Sequence, residues 1–108
     1  MNHFSPDRIA ESAALQQLAS SGNEFLALFN RNQLTVEVYR PDKIDRQQPH
    51  DRDEFYLIIS GKGKFQLRDQ VMDFKKGDFL YVPAHDEHRF LDFSDDFVTW
   101  VFFVGDKK

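Results

Sequence analysis

The chain contains no cysteine. Disulfides, thiolate metal sites, iron–sulfur clusters and cysteine nucleophiles are therefore excluded. It also lacks clustered positive charge. Fourteen Lys and Arg stand against 18 Asp and Glu, the net charge is −4, and no basic run is longer than two residues. A nucleic-acid surface needs grouped basic residues to displace counterions, and an anionic lipid surface needs them for the same attraction. Neither partner is expected. No window approaches the ~18 apolar residues of a membrane span. The opening stretch MNHFSPDRIAES has no apolar segment of the secretory kind. A soluble, cytoplasmic protein is the resulting expectation. No internal repeat and no low-complexity tract is present.

What the chain does have is aromatic bulk. Of 108 residues 12 are Phe, and nine of these lie from Phe55 onward. The length suits one domain, which buries roughly two-thirds of its unfolded surface. At 41% hydrophobic and 30% charged, the composition is that of a folded globular chain. Large rings supply core area that a short chain otherwise lacks.

Residues 5–21 read as a helix. Ser5 is a candidate N-cap, Pro6 suits the first helical position, Asp7 favours the positive end of the dipole, and Gly22 is a stop. Its apolar face, Ala10, Ala14, Leu15 and Leu18, is too small to be a core, so the helix is expected to pack on something larger. From Glu24 onward the pattern is short strands and turns. Strands are expected at 25–29, 34–39, 54–60, 64–68, 71–74, 79–82, 88–93 and 98–104. Turns fall at 30–33 and 61–63, at Asp69-Gln70 as a two-residue hairpin, and at 75–78. The segment from Pro41 to Pro49 carries only loop or edge strand, because each proline removes a ladder donor. About eight short strands without α/β alternation mean an all-β sandwich or barrel.

Two strands are apolar on both faces. In 98–104, Val98, Trp100, Phe102 and Val104 share one face, and Val101 and Phe103 the other with Thr99. In 54–60, Tyr56 and Ile58 oppose Phe55, Leu57 and Ile59. Such strands are covered on both sides. One face fits a barrel interior. The other requires the N-terminal helix, a second subunit in a homodimer, or an inter-sheet contact within one subunit.

His50, Glu54 and His88 are the candidate metal-binding residues in this β-rich setting. A fully extended chain would hold positions 50 and 54 about 13 Å apart, too far for one ion, whereas positions 48 and 50 would lie about 6.7 Å apart. A shared site therefore requires a tight turn at Asp51-Arg52-Asp53, whose residue types fit one. His88 then has to arrive from a later strand on the opposite wall. An unpaired buried carboxylate is costly, so Glu54 needs a cation of some kind. The two imidazoles have an alternative reading as hydrogen-bonded core residues, and Glu54 as a partner of Arg52 or Arg89.

The run QPHDRDEFYLIISGKGKF resembles the first motif of the cupin superfamily, in which His-x-His is followed by Glu and then Gly. His50 falls at the second His, Glu54 at the Glu and Gly61 at the Gly. The run KKGDFLYVPAHDEHRFLD resembles the second motif, with Gly77, Pro83 and His88 in place. The similarity covers about residues 25–105 and is that of a small single-domain bacterial cupin. It implies a double-stranded β-helix, or jelly-roll barrel, over residues 25–108, with residues 1–24 as a helical arm.

The departures shape the chemistry that the resemblance implies. Gln48 replaces the first His, His85 replaces the Gly of the Pro-x-Gly turn, and Asp92 replaces the terminal Asn. Phosphomannose isomerases of similar fold use a Gln in a comparable role, which allows a metal set of Gln48, His50, Glu54 and His88. Without Gln48, the remaining three resemble a two-His, one-carboxylate set with open positions for water, substrate or oxygen. Imidazole and oxygen donors suit Fe, Mn, Ni or Zn as the divalent ion. Tyr56 and Asp92 are the candidate catalytic residues, with Asp92 also a candidate partner of the His88 ring. Tyr81 and His85 are further candidate bases, and no residue stands out as a dedicated one. Tyr56, Ile58 and Phe90 are expected to line the pocket. The implied function is a metal-dependent enzyme acting on a small oxygen-bearing organic substrate, of dioxygenase or isomerase type. The alternatives are a ligand-binding or sensing cupin with weak or no metal, and a structural barrel.

Overall fold

Strands β1 (Phe25–Arg31) and β2 (Leu34–Tyr39) form a hairpin. Asn32 and Gln33 join them, both at positive φ, 54° and 62°, which matches the twist of the strands. The connection is thus two residues, not the four at 30–33 that polarity alone suggests. The structure, a computed structural model, describes residues 7–108. Ser5, Pro6 and His3 lie outside the described residues.

The helix α1 spans Glu11–Ser21, and it starts after Ala10 with no side-chain cap. The expectation of helix from residue 5 therefore fails at least over residues 7–10, which are not helical. Gly22, at φ 72°, ends the helix in the left-handed conformation.

The remaining strands are β3 (Asp53–Ser60), β4 (Lys62–Leu67), β5 (Gln70–Lys75), β6 (Phe79–Val82), β7 (His88–Leu91) and β8 (Val98–Val104). They form a five-stranded sheet ordered β1-β2-β8-β3-β6 and a three-stranded sheet ordered β5-β4-β7. Every pairing is antiparallel. The two sheets make the jelly-roll barrel that the strand pattern and the motifs led us to expect. Several boundaries differ: β3 begins a residue early at Asp53, and β4 begins at Lys62, inside the turn expected at 61–63. Leu67 pairs with Gln70, so the β4–β5 turn is Arg68-Asp69, with Arg68 at φ 55°. Strand β7 stops at Leu91 because Asp92 turns to φ 49°.

Between the sheets lie Tyr56, Phe65, Phe74, Phe90 and Phe97 with Ile58, Leu80, Val82 and Val101. Phe90 is the hub. Its ring centroid sits 4.9 Å from Tyr56, 4.9 Å from Phe65, 5.2 Å from Phe74 and 4.7 Å from Phe97. Gly61 has a steric reason. A Cβ there would stand 2.5 Å from the Phe97 Cα, and its φ is +89°.

A second cluster lies outside the barrel, where Ala14 and Leu18 of α1 pack on Val38, Ile59 and Val98, with Leu15 and Trp100 at the margin. The helix thus covers part of the second apolar face. It leaves a bare strip on β3 and β6, where Leu57, Phe79 and Tyr81 are exposed and Phe55 lies against the Phe79 and Tyr81 rings.

Truncation of the hub ring removes contacts on four sides. Phe90→Ala is expected to cost about 3–5 kcal/mol, whereas Val71→Ala on the exposed face of β5 stays within about 0.5 kcal/mol. Urea unfolding of the two variants checks the contrast.

Candidate metal centre

The 13-residue connection 40–52 between β2 and β3 has no strand of its own, yet it carries His50 to the barrel mouth. A bend at Asp51 and Arg52 turns the chain into β3, whose second residue is Glu54. The bend brings His50 Nε2 to 3.9 Å from Glu54 Oε1. His88 opens β7 on the other sheet, and its Nε2 lies 3.1 Å from the same oxygen. One donor atom from each of the three residues falls within a 4.8 Å cluster.

Arg52 fixes the bend. Its guanidinium donates to the carbonyls of Gly105, Phe103 and Gln33 and to the Thr35 hydroxyl. The turn carrying two of the three donors is thereby tied to the ends of β2 and β8. His85 holds it from the far side, its N–H donating to the His50 carbonyl at 2.6 Å. The edge of the Phe103 ring meets the His50 imidazole, centroids 4.8 Å apart.

Glu54 and the His88 side chain are each about 1% exposed. Both Glu54 oxygens and both imidazole Nε2 atoms are buried without a hydrogen-bond partner. The approach of His88 to Glu54 is close enough for charge attraction but outside hydrogen-bond geometry. Native interiors rarely leave four such atoms unsatisfied. The second nitrogen of His88 is engaged, Nδ1 lying 3.0 Å from the Asp86 carbonyl. A proton on Nδ1 satisfies that carbonyl and leaves Nε2 with a free lone pair, the tautomer a metal requires.

The donor set fits a divalent transition ion. Bonds of about 2.0–2.2 Å place neighbouring donors about 3–3.5 Å apart; the His88–Glu54 separation of 3.1 Å lies in that range and the His50–Glu54 separation of 3.9 Å just beyond it. Two neutral imidazoles and one carboxylate leave coordination positions free.

A second carboxylate lies beside the centre in a very different state. Asp45 is 1% exposed. It accepts bonds from the Tyr39 hydroxyl at 2.7 Å, from the Gln47 N–H at 3.0 Å, from the Gln47 amide at 2.9 Å and from the Phe90 N–H at 2.9 Å. Gln47 in turn accepts from the Tyr56 hydroxyl at 3.2 Å. Burial and the Glu54 charge push the Tyr56 phenol well above its usual pKa, so its oxygen keeps its proton. Burial and the Asp45 bond do the same to Tyr39.

The centre opens into a cavity of about 310 Å³ walled by Glu37, Tyr39, Gln47, His50, Glu54 and Phe103, with Arg46 and Glu24 at its edge. Burial raises the Glu37 carboxyl above the usual range, and the Glu54 charge raises it further.

The structure brings together His50, Glu54 and His88, with Tyr56 beneath them. It sets the other candidates apart. Gln48 is exposed and lies in a separate depression with Gln66, Arg68 and Glu87, which reaches only His88. Asp92 is exposed beyond the far end of β7, where its charge acts on Lys64, so it does not orient the His88 ring. Tyr81 points outward onto Phe55, and His85 lies at the rim with Nε2 2.5 Å from the Lys108 carbonyl. Ile58 and Phe90 are core residues and do not line the cavity.

Sequence reasoning missed Glu37, Tyr39, Asp45 and Gln47. For the first two, strand alternation was present but inverted. Thr35, Glu37 and Tyr39 share a face of β2, and that polar face points into the barrel while Val36 and Val38 point out. Asp45 and Gln47 sit in an irregular loop, where alternation carries no information.

The chain belongs to the cupin family, whose Cupin domain profile matches residues 35–104. An uncharacterised protein of Streptomyces coelicolor is 29% identical over 87 residues, covering 79% of this chain and 83% of its own. Among solved structures, a cupin superfamily protein of Desulfitobacterium hafniense aligns with a TM-score of 0.63 at 22% identity, covering 76% of each chain. The DMSP lyase DddQ of Ruegeria pomeroyi aligns at 0.67 and 20% identity, over 76% of this chain and 46% of its own. A candidate mannose-6-phosphate isomerase of Ralstonia eutropha aligns at 0.58 and 23% identity, over 76% and 83%. These likenesses establish the fold. Among the described residues no helix is long and apolar enough to cross a membrane.

The His88 imidazole is raised above its ordinary pKa of 6.5: burial pulls it down, and the adjacent Glu54 carboxylate overrides that. In metal-free protein such a group contributes stability below its unfolded pKa, and the contribution is lost as pH rises through the folded value. Melts of metal-free protein between about pH 6 and about pH 8.5 are expected to show Tm falling with pH, and less so in His88→Gln. Ion binding needs neutral imidazoles, so its affinity runs the opposite way and weakens on acidification.

Proposed function

We propose that this cupin binds a divalent transition ion, Fe, Mn, Ni or Zn, through His50, Glu54 and His88 and acts as an enzyme on a small oxygen-bearing organic substrate. One observation carries the reading. Two imidazole nitrogens and a carboxylate, all buried and without hydrogen bonds, converge at a cavity. Leaving a buried carboxylate unpaired is expensive, and a dication relieves that cost while using every orphaned donor.

The bound ion would supply Lewis acidity and open positions for ligand oxygen. The rest falls to the chain. Asp86 holds the His88 tautomer through its carbonyl, and Phe103 props the His50 ring. Asp45 locks Gln47, which in turn holds the Tyr56 hydroxyl. Tyr56 is thus a neutral hydrogen-bond donor below the centre and not a base. The cavity volume limits the substrate to a small molecule. With Gln48 exposed, we favour the three-donor set over a four-donor one. Dioxygenase-type and isomerase-type chemistry both use such a set, and a structural neighbour named as a candidate isomerase is in keeping with the latter. The bare strip of Leu57, Phe79 and Tyr81 supports the reading as a homodimer.

Metal analysis of protein purified without added metal tests the centre. Wild type is expected to carry an ion, and His50→Ala and His88→Ala to lose it while keeping their β-rich circular dichroism. Equal, negligible metal in all three removes the metal reading. Oxygen uptake with catechols, diketones and thiols then distinguishes an oxygenase. Sedimentation tests the dimer: wild type is expected at twice the mass of Phe79→Glu, and a monomeric wild type removes that part.

A further inference from the structure

Among the described residues, Glu37 alone of the cavity carboxylates has neither an ion pair nor a hydrogen bond to its side chain. Glu54 is flanked by two imidazoles, and Glu24 lies 4.0 Å from Arg46 at the mouth. Glu37 sits mid-strand in β2, in register with Val101 of β8, which is in turn in register with Tyr56 of β3. Its carboxyl therefore occupies the wall of the same sheet that carries Glu54, two strands away, and borders the cavity onto which His50 and Glu54 open. The groups facing it are Tyr39 on its own strand, Glu54 on β3, and Arg46, Gln47 and His50 on the connecting loop. Arg46 is largely in solvent, its side chain 68% exposed.

The other acids and bases near the centre are committed elsewhere. Asp45 accepts four hydrogen bonds, Tyr56 donates to Gln47, and the His88 Nδ1 is held by Asp86. Asp92, Tyr81 and His85 lie outside the cavity. An unengaged, half-buried carboxyl facing a metal-binding cavity is the form a general acid–base takes, since burial moves it toward the pH at which it both gives and takes a proton.

We propose that Glu37 is the proton-transfer residue of this site, and that its substrates are small hydroxycarbonyl compounds. The inference rests on the metal reading above. The C–H bond beside the carbonyl breaks, its proton passes to Glu37, its electron pair forms a carbon–carbon double bond, and the carbonyl π pair moves onto oxygen. Reversal returns a proton from Glu37 to the same carbon, or to its neighbour once the hydroxyl proton has passed between the two ligand oxygens. The step is redox-neutral and needs no co-reactant. It places the protein with isomerase-type rather than dioxygenase-type chemistry.

Hydroxyacetone in D₂O is the probe, with zinc-loaded protein and proton NMR as the readout. Wild type is expected to exchange the C–H protons faster than zinc in buffer. E37Q is expected to slow exchange by about 10²-fold or more with its zinc retained, and E37D to recover part of it. An independent readout uses metal-free protein labelled at the glutamate carboxyl carbons. The resonance that E37Q removes is expected to titrate above the range of free glutamate. Exchange unaffected by E37Q at full zinc, exchange no faster than buffer zinc, or an ordinary Glu37 midpoint each overturns the proposal and leaves the metal centre standing. Wild type that takes up no zinc overturns the metal reading and the proposal with it.

Discussion

The burial of the Glu54 carboxylate governs this structure. A charge placed on the inner face of a barrel filled with Phe and Tyr rings loses its water, and the penalty is several kcal/mol if nothing replaces that water. Its neighbours are the two imidazoles, and neither meets it with hydrogen-bond geometry. The arrangement is unfavourable as a closed hydrophobic core and favourable as a receptor for a dication. The same charge reaches further, raising the Tyr56 phenol, the Glu37 carboxyl and the His88 ring together. Burial is the larger cause for Tyr56 and Glu37, and the Glu54 charge adds to it; at His88 the Glu54 carboxylate outweighs burial.

Asp45 shows what the barrel does with a carboxylate that is structural. It saturates both oxygens with four donors drawn from two side chains and two backbone groups. In doing so it pins the irregular loop to Phe90, the hub of the aromatic core. The loop can then deliver His50 to a fixed point without strand pairing of its own. The contrast between the two buried acids, one fully bonded and one bare, is the clearest mark of which belongs to scaffold and which to chemistry.

Much of this was legible in the residues. The spacing of His50, Glu54, Gly61, Gly77, Pro83 and His88 carries the fold and the three donors, because a barrel that must bring two walls to one point tolerates little change in strand length. The bend at 51–52 was demanded by reach alone. Other features were hidden by inversion. In β2 the polar face is the inner one and Val36 and Val38 look outward, toward α1 in the case of Val38, so alternation points Glu37 the wrong way. Gln48 and Gln47 are neighbours in a loop, and only the Asp45 bonds decide that Gln47 turns inward. Asp92 shares strand parity with His88, but a left-handed backbone at its own position ends the strand and leaves it exposed at the opposite pole. His85 stands where the family motif has Gly, and its φ of 71° shows why that position favours one.

Arg52 has a mechanical consequence. Its four bonds span the turn, the β1–β2 hairpin and the end of β8, and it sits in sequence between two of the converging donors. Shifting any of these parts breaks several charge-assisted bonds at once. The segment that sets the spacing of His50 and Glu54 is therefore tied to the β1–β2 hairpin and to β8 rather than left to the loop alone.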